Sequence, residues 1–221
     1  MRFVFLALLI VTSAIHLFDS WRDDARRRKY TKPFLLIFLI LYYIFSTDAP
    51  SFLLIAALAA SWLGDVLLIP AGNKWFVAGG LSFMMTHFLF VAVYARQVRF
   101  ESVKWWAVIP AALLYYGISA LIIRALTPST PKMMLVPMYV YLLANSTMNV
   151  FSFMQLMAVP SFAAAVAFGG AVLFFISDCA LFLVRYYEKK DIIFKRHFTV
   201  MLTYVAGEFM ITQGMLMLAA R

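Results

Sequence analysis

The sequence is poor in charged residues and in the residues that interrupt helices. Only 13% of its 221 residues are charged, whereas 65% are hydrophobic, and the mean hydropathy is +0.89. Soluble domains have about a quarter of their residues charged, so this composition excludes a soluble globular protein. The chain has just 9 Gly and 8 Pro, which excludes a collagen-like or disordered chain.

Several kinds of chemistry lack the residues that they require. Cys179 is the single cysteine, so an intrachain disulfide and a zinc cluster built on cysteines are both excluded. The Gly-x-Ser-x-Gly elbow of serine hydrolases does not occur, and neither does a Walker A loop or a dinucleotide Gly-x-Gly-x-x-Gly. We therefore expect no cofactor and no resident metal.

Long apolar runs make up most of the chain. Separated by charges, Pro or Gly, they predict eight helices, at residues 3–18, 33–47, 50–70, 75–95, 104–124, 133–154, 161–185 and 198–220. A membrane span needs about 20 apolar residues, so eight spans leave only short loops, and neighbouring helices should pack antiparallel. We predict an all-α fold, a polytopic membrane helix bundle of about eight transmembrane helices that forms a single integral membrane domain over residues 1–221.

The net charge of +9 comes from 19 Lys and Arg against 10 Asp and Glu. Most of the basic residues fall in the predicted loops after the first and seventh helices, which indicates contact with membrane lipids rather than with nucleic acid. From the positive-inside rule we expect a bacterial inner membrane protein with both termini on the non-cytoplasmic side. Residues 1–18 resemble a signal peptide, but the basic cluster that follows is disfavoured on the exported side, so we expect a retained first span.

Four ionisable residues lie within the predicted helices at membrane depth: Asp65, His87, Asp178 and Glu208. The remaining acidic residues are expected in loops, namely Asp19, Asp23, Asp24, Asp48, Glu101, Glu188 and Asp191. Ionisable groups are costly in a bilayer and usually face the bundle interior or a watery cavity. With a rise of about 1.5 Å per residue, the four could meet at one level, between mid-membrane and the cytoplasmic face.

Further polar side chains recur at helical spacing. Tyr141, Asn145 and Asn149 form an i, i+4, i+8 stripe on the sixth helix, and Tyr204 and Glu208 are one turn apart on the eighth. We interpret these groups as the lining of a polar pocket. Hydrogen bonding between helices is the alternative, because polar side chains also join membrane helices to one another.

Three short motifs follow one another along the chain: residues 61–68 (SWLGDVLL), 76–87 (FVAGGLSFMMTH) and 170–178 (GAVLFFISD). Their order and helix placement resemble those of the YhhN-type lysoplasmalogenases, a family of eight-span membrane proteins. Lys32-Pro33, Val136-Pro137 with Tyr141, and Thr203-Tyr204 fit the same pattern. The resemblance extends from the second helix onward.

The resemblance implies an ether hydrolase that cleaves the vinyl ether bond of lysoplasmalogens, releasing a fatty aldehyde and glycerophosphoethanolamine or glycerophosphocholine. It implies a lysophospholipid substrate and catalytic roles for Asp65, His87 and Asp178. Two carboxyls can divide acid and base work when their environments differ, but the sequence leaves open which one is the acid. The candidate substrate-binding residues are Lys32, Tyr141, Asn145, Asn149, Ser177, Tyr204 and Glu208.

Two of these residues carry specific expectations. Lys32 could hold the phosphate of the headgroup as a point charge, or it could be a simple interface anchor. Glu208 stands where the resemblance leads us to expect Gln, and an extra carboxyl there would change the protonation of the pocket.

Three other functions remain open at this point. The membrane-depth carboxyls could form the relay of a small proton- or cation-coupled transporter, although no internal repeat is evident. Asp65, His87 and Asp178 could bind zinc in a metal-dependent intramembrane lipid hydrolase, although no ligand pair at i, i+4 supports it. The third alternative is a lipid-binding or assembly protein without catalysis. The oligomeric state is unknown.

Overall fold

The computed structural model describes residues 1–98, 100–189 and 192–220. Over these residues the chain forms eight α-helices, one short 3-10 turn and no strand, which confirms the all-α prediction. The helices are α1 (Arg2–Trp21), α2 (Ala25–Ile44), α3 (Phe52–Leu67), α4 (Asn73–Ala95), α5 (Trp105–Leu126), α6 (Lys132–Ala158), α7 (Phe162–Tyr186) and α8 (His197–Ala219). The 3-10 turn, at Phe100–Ser102, lies between α4 and α5.

Six of these helices, α1 and α4 to α8, are long and apolar enough to cross a membrane. The helix α3 is apolar but has 16 residues, somewhat fewer than the about 20 that cross a bilayer. The helix α2 has 20 residues but begins with a run of basic side chains. The membrane character predicted from composition is therefore supported by the length and polarity of the helices.

The helix α2 begins eight residues before the predicted start at Pro33. Asp24 provides the N-cap, because its carboxylate accepts hydrogen bonds from the backbone N–H groups of Arg26 and Arg27 at 3.0 and 3.1 Å. The N–H of Arg27, with that of Arg26, holds the pKa of Asp24 below its usual value. The basic residues therefore occupy the first two turns of a helix, and Lys32 is carried towards the bundle interior.

One acidic residue was wrongly placed by the sequence. Asp19, expected in a loop, lies in the last turn of α1 and is only 4% exposed. The reason is that α1 continues to Trp21, three residues past its predicted end. Asp191, also expected in a loop, lies outside the described residues.

The helix α6 lies between α4, α5 and α7, and α4 packs mainly against α3 and α6 rather than against α5. The prediction that chain neighbours pack together therefore fails for α4 and α5. A physical reason is the polar face of α6, where Asn145 and Asn149 are fully buried and need covering on the side of α4 and α7. The helix α5 is apolar and largely exposed, as a lipid-facing helix would be.

Glycine residues let α7 and α8 pack backbone against backbone. A Cβ atom at Gly170 would lie 2.7 Å from the carbonyl oxygen of Gly207, and a Cβ atom at Gly207 would lie 2.9 Å from that of Gly170. Small residues permit this close approach between membrane helices. The contact positions Asp178 on α7 relative to Tyr204 on α8.

One end of the bundle carries most of the positive charge that the structure describes. Arg185, near the end of α7, donates a hydrogen bond to the side chain of Asn73 at the start of α4, at 3.0 Å. The start of α2, with Arg28 and Lys29, borders the same region as His197 at the start of α8. We call this the basic end of the bundle.

Candidate active site

Asp65 is held at the meeting point of α2, α3 and α8. Its side chain is 2% exposed, and its two carboxylate oxygens have different partners. The Lys32 ammonium lies 3.2 Å from Oδ1, and the Tyr204 hydroxyl donates a hydrogen bond to Oδ2 at 2.8 Å. A buried carboxylate requires this kind of compensation, because an unpaired charge in the interior costs several kcal/mol.

Asp178 has a separate set of partners, from α4 and α6. The Nε2 atom of His87 lies 3.0 Å from its Oδ2 atom, and the Asn145 amide donates to the same oxygen at 3.1 Å. His87 is fully buried and Asp178 nearly so. The two aspartates therefore differ in chemistry: one is ion-paired with a lysine, and the other is paired with an imidazole.

Both aspartates line one cavity of about 370 Å³. Tyr204, Ser177 and Lys32 contribute polar surface to it, and Phe76 and Phe83 are among its apolar walls. The cavity extends towards the basic end, where Arg185 and His197 line it. A smaller cavity of about 180 Å³ shares Lys32 and His197 with it and adds Arg28 and Lys29. A negatively charged group could therefore approach the two carboxyls from a positively charged surface.

Aromatic side chains enclose the imidazole of His87. Its ring packs edge-on against Tyr141, with ring centroids 5.1 Å apart, and is tilted against Phe174 at the same distance. Its Nδ1 atom lies 3.4 Å from the sulfur of Met148, which is a weak acceptor. The shortest polar contact of His87 is therefore the one between its Nε2 atom and Oδ2 of Asp178, at 3.0 Å.

The candidate substrate-binding residues separate into two groups. Ser177 and Tyr204 line the cavity, although the Ser177 hydroxyl donates to the carbonyl of Val200 at 2.9 Å. Asn145 and Asn149 do not line it: Asn145 binds Asp178, and the Asn149 amide donates to the Asn145 carbonyl at 3.0 Å. Asn145 thus positions Asp178 through a hydrogen bond between α6 and α7, as the alternative implied, whereas the bond of Asn149 stays within α6.

Glu208 lies one helical turn from Tyr204 and does not line the cavity. It is fully buried, and the Ser61 hydroxyl donates to its Oε1 atom at 2.5 Å. Ser61 is also within 3.2 Å of the Thr86 hydroxyl. The Oε2 atom of Glu208 has no hydrogen-bond partner within the part of the chain that the structure describes. Glu208 therefore joins α3 to α8 next to the cavity rather than lining it.

Two residues of the cavity, Arg185 and His197, were not predicted from the sequence. Arg185 is seven residues after Asp178, and His197 is seven before Tyr204. That spacing places each on the same helix face as its neighbour, two turns nearer the basic end. The seven-residue spacing could have indicated both residues. It was not used because a charged residue or a histidine at a helix end usually lies at the membrane interface.

Comparison with known proteins assigns the chain to a protein family. The family model described as the YhhN family matches residues 28–215, which is most of the chain. The chain belongs to the YhhN family. This is the lysoplasmalogenase family, so the resemblance seen in the three motifs is confirmed. No curated protein and no solved structure matches the chain.

The YhhN match includes the cavity residues from Lys32 to Tyr204 and leaves α1 outside. Membership of this family is consistent with a hydrolase. Among the residues described, no three His, Cys, Asp or Glu side chains come close enough together to hold a metal ion.

Proposed function

We propose that this YhhN-family protein hydrolyses the vinyl ether bond of lysoplasmalogens by acid catalysis between Asp65 and Asp178. The observation that supports it best is that two buried carboxyls line one cavity and have different partners. Vinyl ether hydrolysis needs a proton donor, a negative group beside the cation that forms, and a positioned water. Two carboxyls in different environments can divide this work.

In this proposal Asp178 is the acid. His87 Nε2 lies 3.0 Å from its carboxyl, so the two groups can share a proton and restore it after each turnover. Asp65 is ion-paired with Lys32 and accepts a hydrogen bond from Tyr204. Those partners suit a carboxylate that stabilises the cation and orients the attacking water.

The atoms balance with one water and no other co-reactant. A proton from Asp178 adds to the distal alkene carbon, and the π electrons form the new C–H bond, which leaves an oxocarbenium ion at the ether carbon. Water attacks that carbon and gives a proton to Asp65. The hemiacetal hydroxyl then gives its proton to the Asp178–His87 pair, the bond from that carbon to the glycerol oxygen breaks, and the glycerol oxygen takes the proton that Asp65 had accepted from water. The products are a fatty aldehyde and the glycerophosphodiester.

We place the substrate phosphate at Arg185 rather than at Lys32. The Lys32 ammonium is already 3.2 Å from Asp65. The Arg185 guanidinium lies over the Phe76 ring, 3.7 Å from its centroid, and donates to Asn73 at 3.0 Å. Because a guanidinium has five N–H donors in a planar fork, this arrangement holds Arg185 in place and leaves donors for a phosphate.

The test uses detergent-purified protein with a lysoplasmalogen and with its saturated ether analogue. We expect aldehyde from the first substrate only. In D₂O, with immediate reduction of the aldehyde to an alcohol, the product should carry one deuterium on the carbon next to the former carbonyl, because the acid delivers a solvent proton there. Absence of aldehyde from folded protein would contradict the proposal and leave the transporter and lipid-binding alternatives.

Variants at the two aspartates test the mechanism. Asp65→Asn and Asp178→Asn should each lower kcat/KM on the order of 10²- to 10⁴-fold, the usual contribution of general acid–base catalysis. Asp24→Asn is the matched control, since Asp24 caps α2 without lining the cavity and Asn caps a helix equally well. Near-wild-type turnover in either site variant would contradict the assigned roles.

We also propose an orientation for the bundle. The basic end faces the cytoplasm, as the positive-inside rule predicts. The cavity then opens towards the cytoplasmic leaflet, and with eight spans both termini lie on the opposite side.

A further inference from the structure

An apolar slot of about 190 Å³ lies beside the cavity, between α4 and α6. Its surface is almost entirely apolar, and its lining includes Phe76, Gly80 and Met84 of α4, Met138 and Tyr141 of α6, and Phe182 of α7. Three further lining residues are exposed on the outside of the bundle: Leu81 by 53%, Val136 by 67% and Val140 by 42%. The slot therefore opens sideways, where the membrane lipids would lie.

A single layer of aromatic rings separates the slot from the Asp178–His87 pair. Phe76 lines both the slot and the cavity. The Phe182 ring is 6.3 Å from that of Phe76 and 5.1 Å from that of Tyr141, centroid to centroid. Tyr141 in turn contacts the His87 ring. The slot is thus adjacent to the reacting groups rather than a remote lipid-facing groove.

The slot also begins at Phe76, the residue against which the guanidinium of Arg185 packs. That guanidinium lies over the face of Phe76, so a site for an anion and an apolar slot share one side chain. From Phe76 to Met84 the slot follows α4 for about 12 Å, at 1.5 Å rise per residue, from the basic end towards mid-membrane. A lipid has the same order of parts, with its phosphate at the surface and its chain running inward.

We propose that this slot binds the hydrocarbon chain of the lysophospholipid substrate while Arg185 holds its phosphate, an inference that rests on the proposed function. With the phosphate at Arg185 and the chain entering the slot past Phe76, which lines both the slot and the cavity, the vinyl ether between them lies in the cavity that the two carboxyls line. The slot offers almost no hydrogen-bonding groups, so a polar occupant would lose its bonds to water without replacement. The flexible methionines at positions 84, 134 and 138 suit an unbranched chain of variable conformation.

Gly80 allows the slot to be closed without disturbing the fold. A Cβ atom at Gly80 would have no atom within 4 Å, and Gly80 lines the slot. Gly80→Leu therefore fills the slot, and it also replaces a poor helix former with a good one. Gly117→Leu is the matched control, because Gly117 has the same open space, is exposed, and lies on the outer helix α5.

The first measurement is of binding and does not depend on turnover. A saturated alkyl ether lysophospholipid with a diazirine near the end of its chain is photo-crosslinked to the purified protein. We expect label in the Phe76–Met84 and Met134–Tyr141 segments, about tenfold less of it in Gly80→Leu, and no change in Gly117→Leu. Label confined to α1 or α5, or label unaffected by Gly80→Leu, would overturn the inference.

The second measurement is of chain-length selectivity. Gly80→Leu should lower kcat/KM at least about tenfold for a long-chain lysoplasmalogen, and leave a four-carbon alkenyl analogue close to its wild-type value. An equal loss for both substrates would overturn the slot as the chain site. If the wild-type protein releases no aldehyde but its slot is labelled, the proposed hydrolysis fails and the lipid-chain site stands.

Discussion

The ion pair between Lys32 and Asp65 permits a quantitative prediction. The side chains of the two residues are 17% and 2% exposed, and their charged atoms are 3.2 Å apart. Lys32→Met removes the ammonium but keeps an unbranched apolar side chain. Removing one partner of a buried pair costs about 3–5 kcal/mol, because the other charge is left without compensation. The Tyr204 hydrogen bond to Asp65 remains, so we expect a loss near the lower limit, about 3 kcal/mol.

The double variant Lys32→Met/Asp65→Asn distinguishes the effect of an uncompensated Asp65 charge from a simple loss of packing by the Lys32 side chain. It removes both charges, so it should regain part of the stability lost in Lys32→Met, with a coupling energy on the order of 2 kcal/mol between the two sites. The assay is thermal unfolding in one detergent at constant pH. For a chain of this length about 3 kcal/mol corresponds to a Tm lower by about 6–12 °C.

Lys29→Met is the matched control for this cycle. Lys29 precedes Lys32 by three residues and is exposed, so its loss should change stability by about 0.5 kcal/mol or less. Unfolding of Lys32→Met at the wild-type temperature, or a double variant less stable than Lys32→Met alone, would refute a stabilising ion pair between Lys32 and Asp65.

Three further predictions concern the bundle around the cavity. Glu208→Gln should keep the bond from Ser61 and retain activity within a factor of a few, since Glu208 does not line the cavity; loss of aldehyde release from a protein with unchanged Tm would show a catalytic role instead. Gly207→Ala should destabilise the protein by about 1–3 kcal/mol through overpacking, because its Cβ atom would lie 2.9 Å from backbone atoms of α7. Gly117→Ala, which meets open space, should not lower the Tm, and equal Tm values for the two variants would contradict close packing of α7 on α8. An impermeant maleimide added to intact cells should label Asp48→Cys and not Glu188→Cys. Both positions are exposed, and they lie at opposite ends of the bundle in the proposed topology. The reverse labelling pattern would show the opposite orientation.

The positions of the buried carboxyls could be predicted from the sequence. An ionisable side chain inside an apolar run cannot face lipid at low cost, so Asp65, Asp178 and Glu208 had to face inward. The regular rise of a helix then gave their common depth. Composition and helix geometry are enough for both conclusions, and a single sequence contains them.

The partners of those carboxyls could not be predicted in the same way. Which donor reaches which carboxyl depends on the rotation of each helix about its own axis and on the angles at which the helices cross. Lys32 shows the difference. Because α2 was expected to begin at residue 33, Lys32 was expected at the membrane interface. In the structure the Asp24 cap starts the helix earlier, so Lys32 lies within α2 and next to Asp65. Asn149, expected in a pocket, instead supports Asn145.

The sequence by itself determined that this is a helical membrane protein with carboxyls inside it, because the cost of placing charge in lipid follows from composition alone. The tertiary structure decided that Asp65 pairs with Lys32 and Asp178 with His87, that both line one cavity, and that Glu208 lies outside it. Those outcomes depend on contacts such as that of Gly170 with Gly207, where the approach of two backbones sets the relative rotation of the helices. Only packing in three dimensions determines such a rotation.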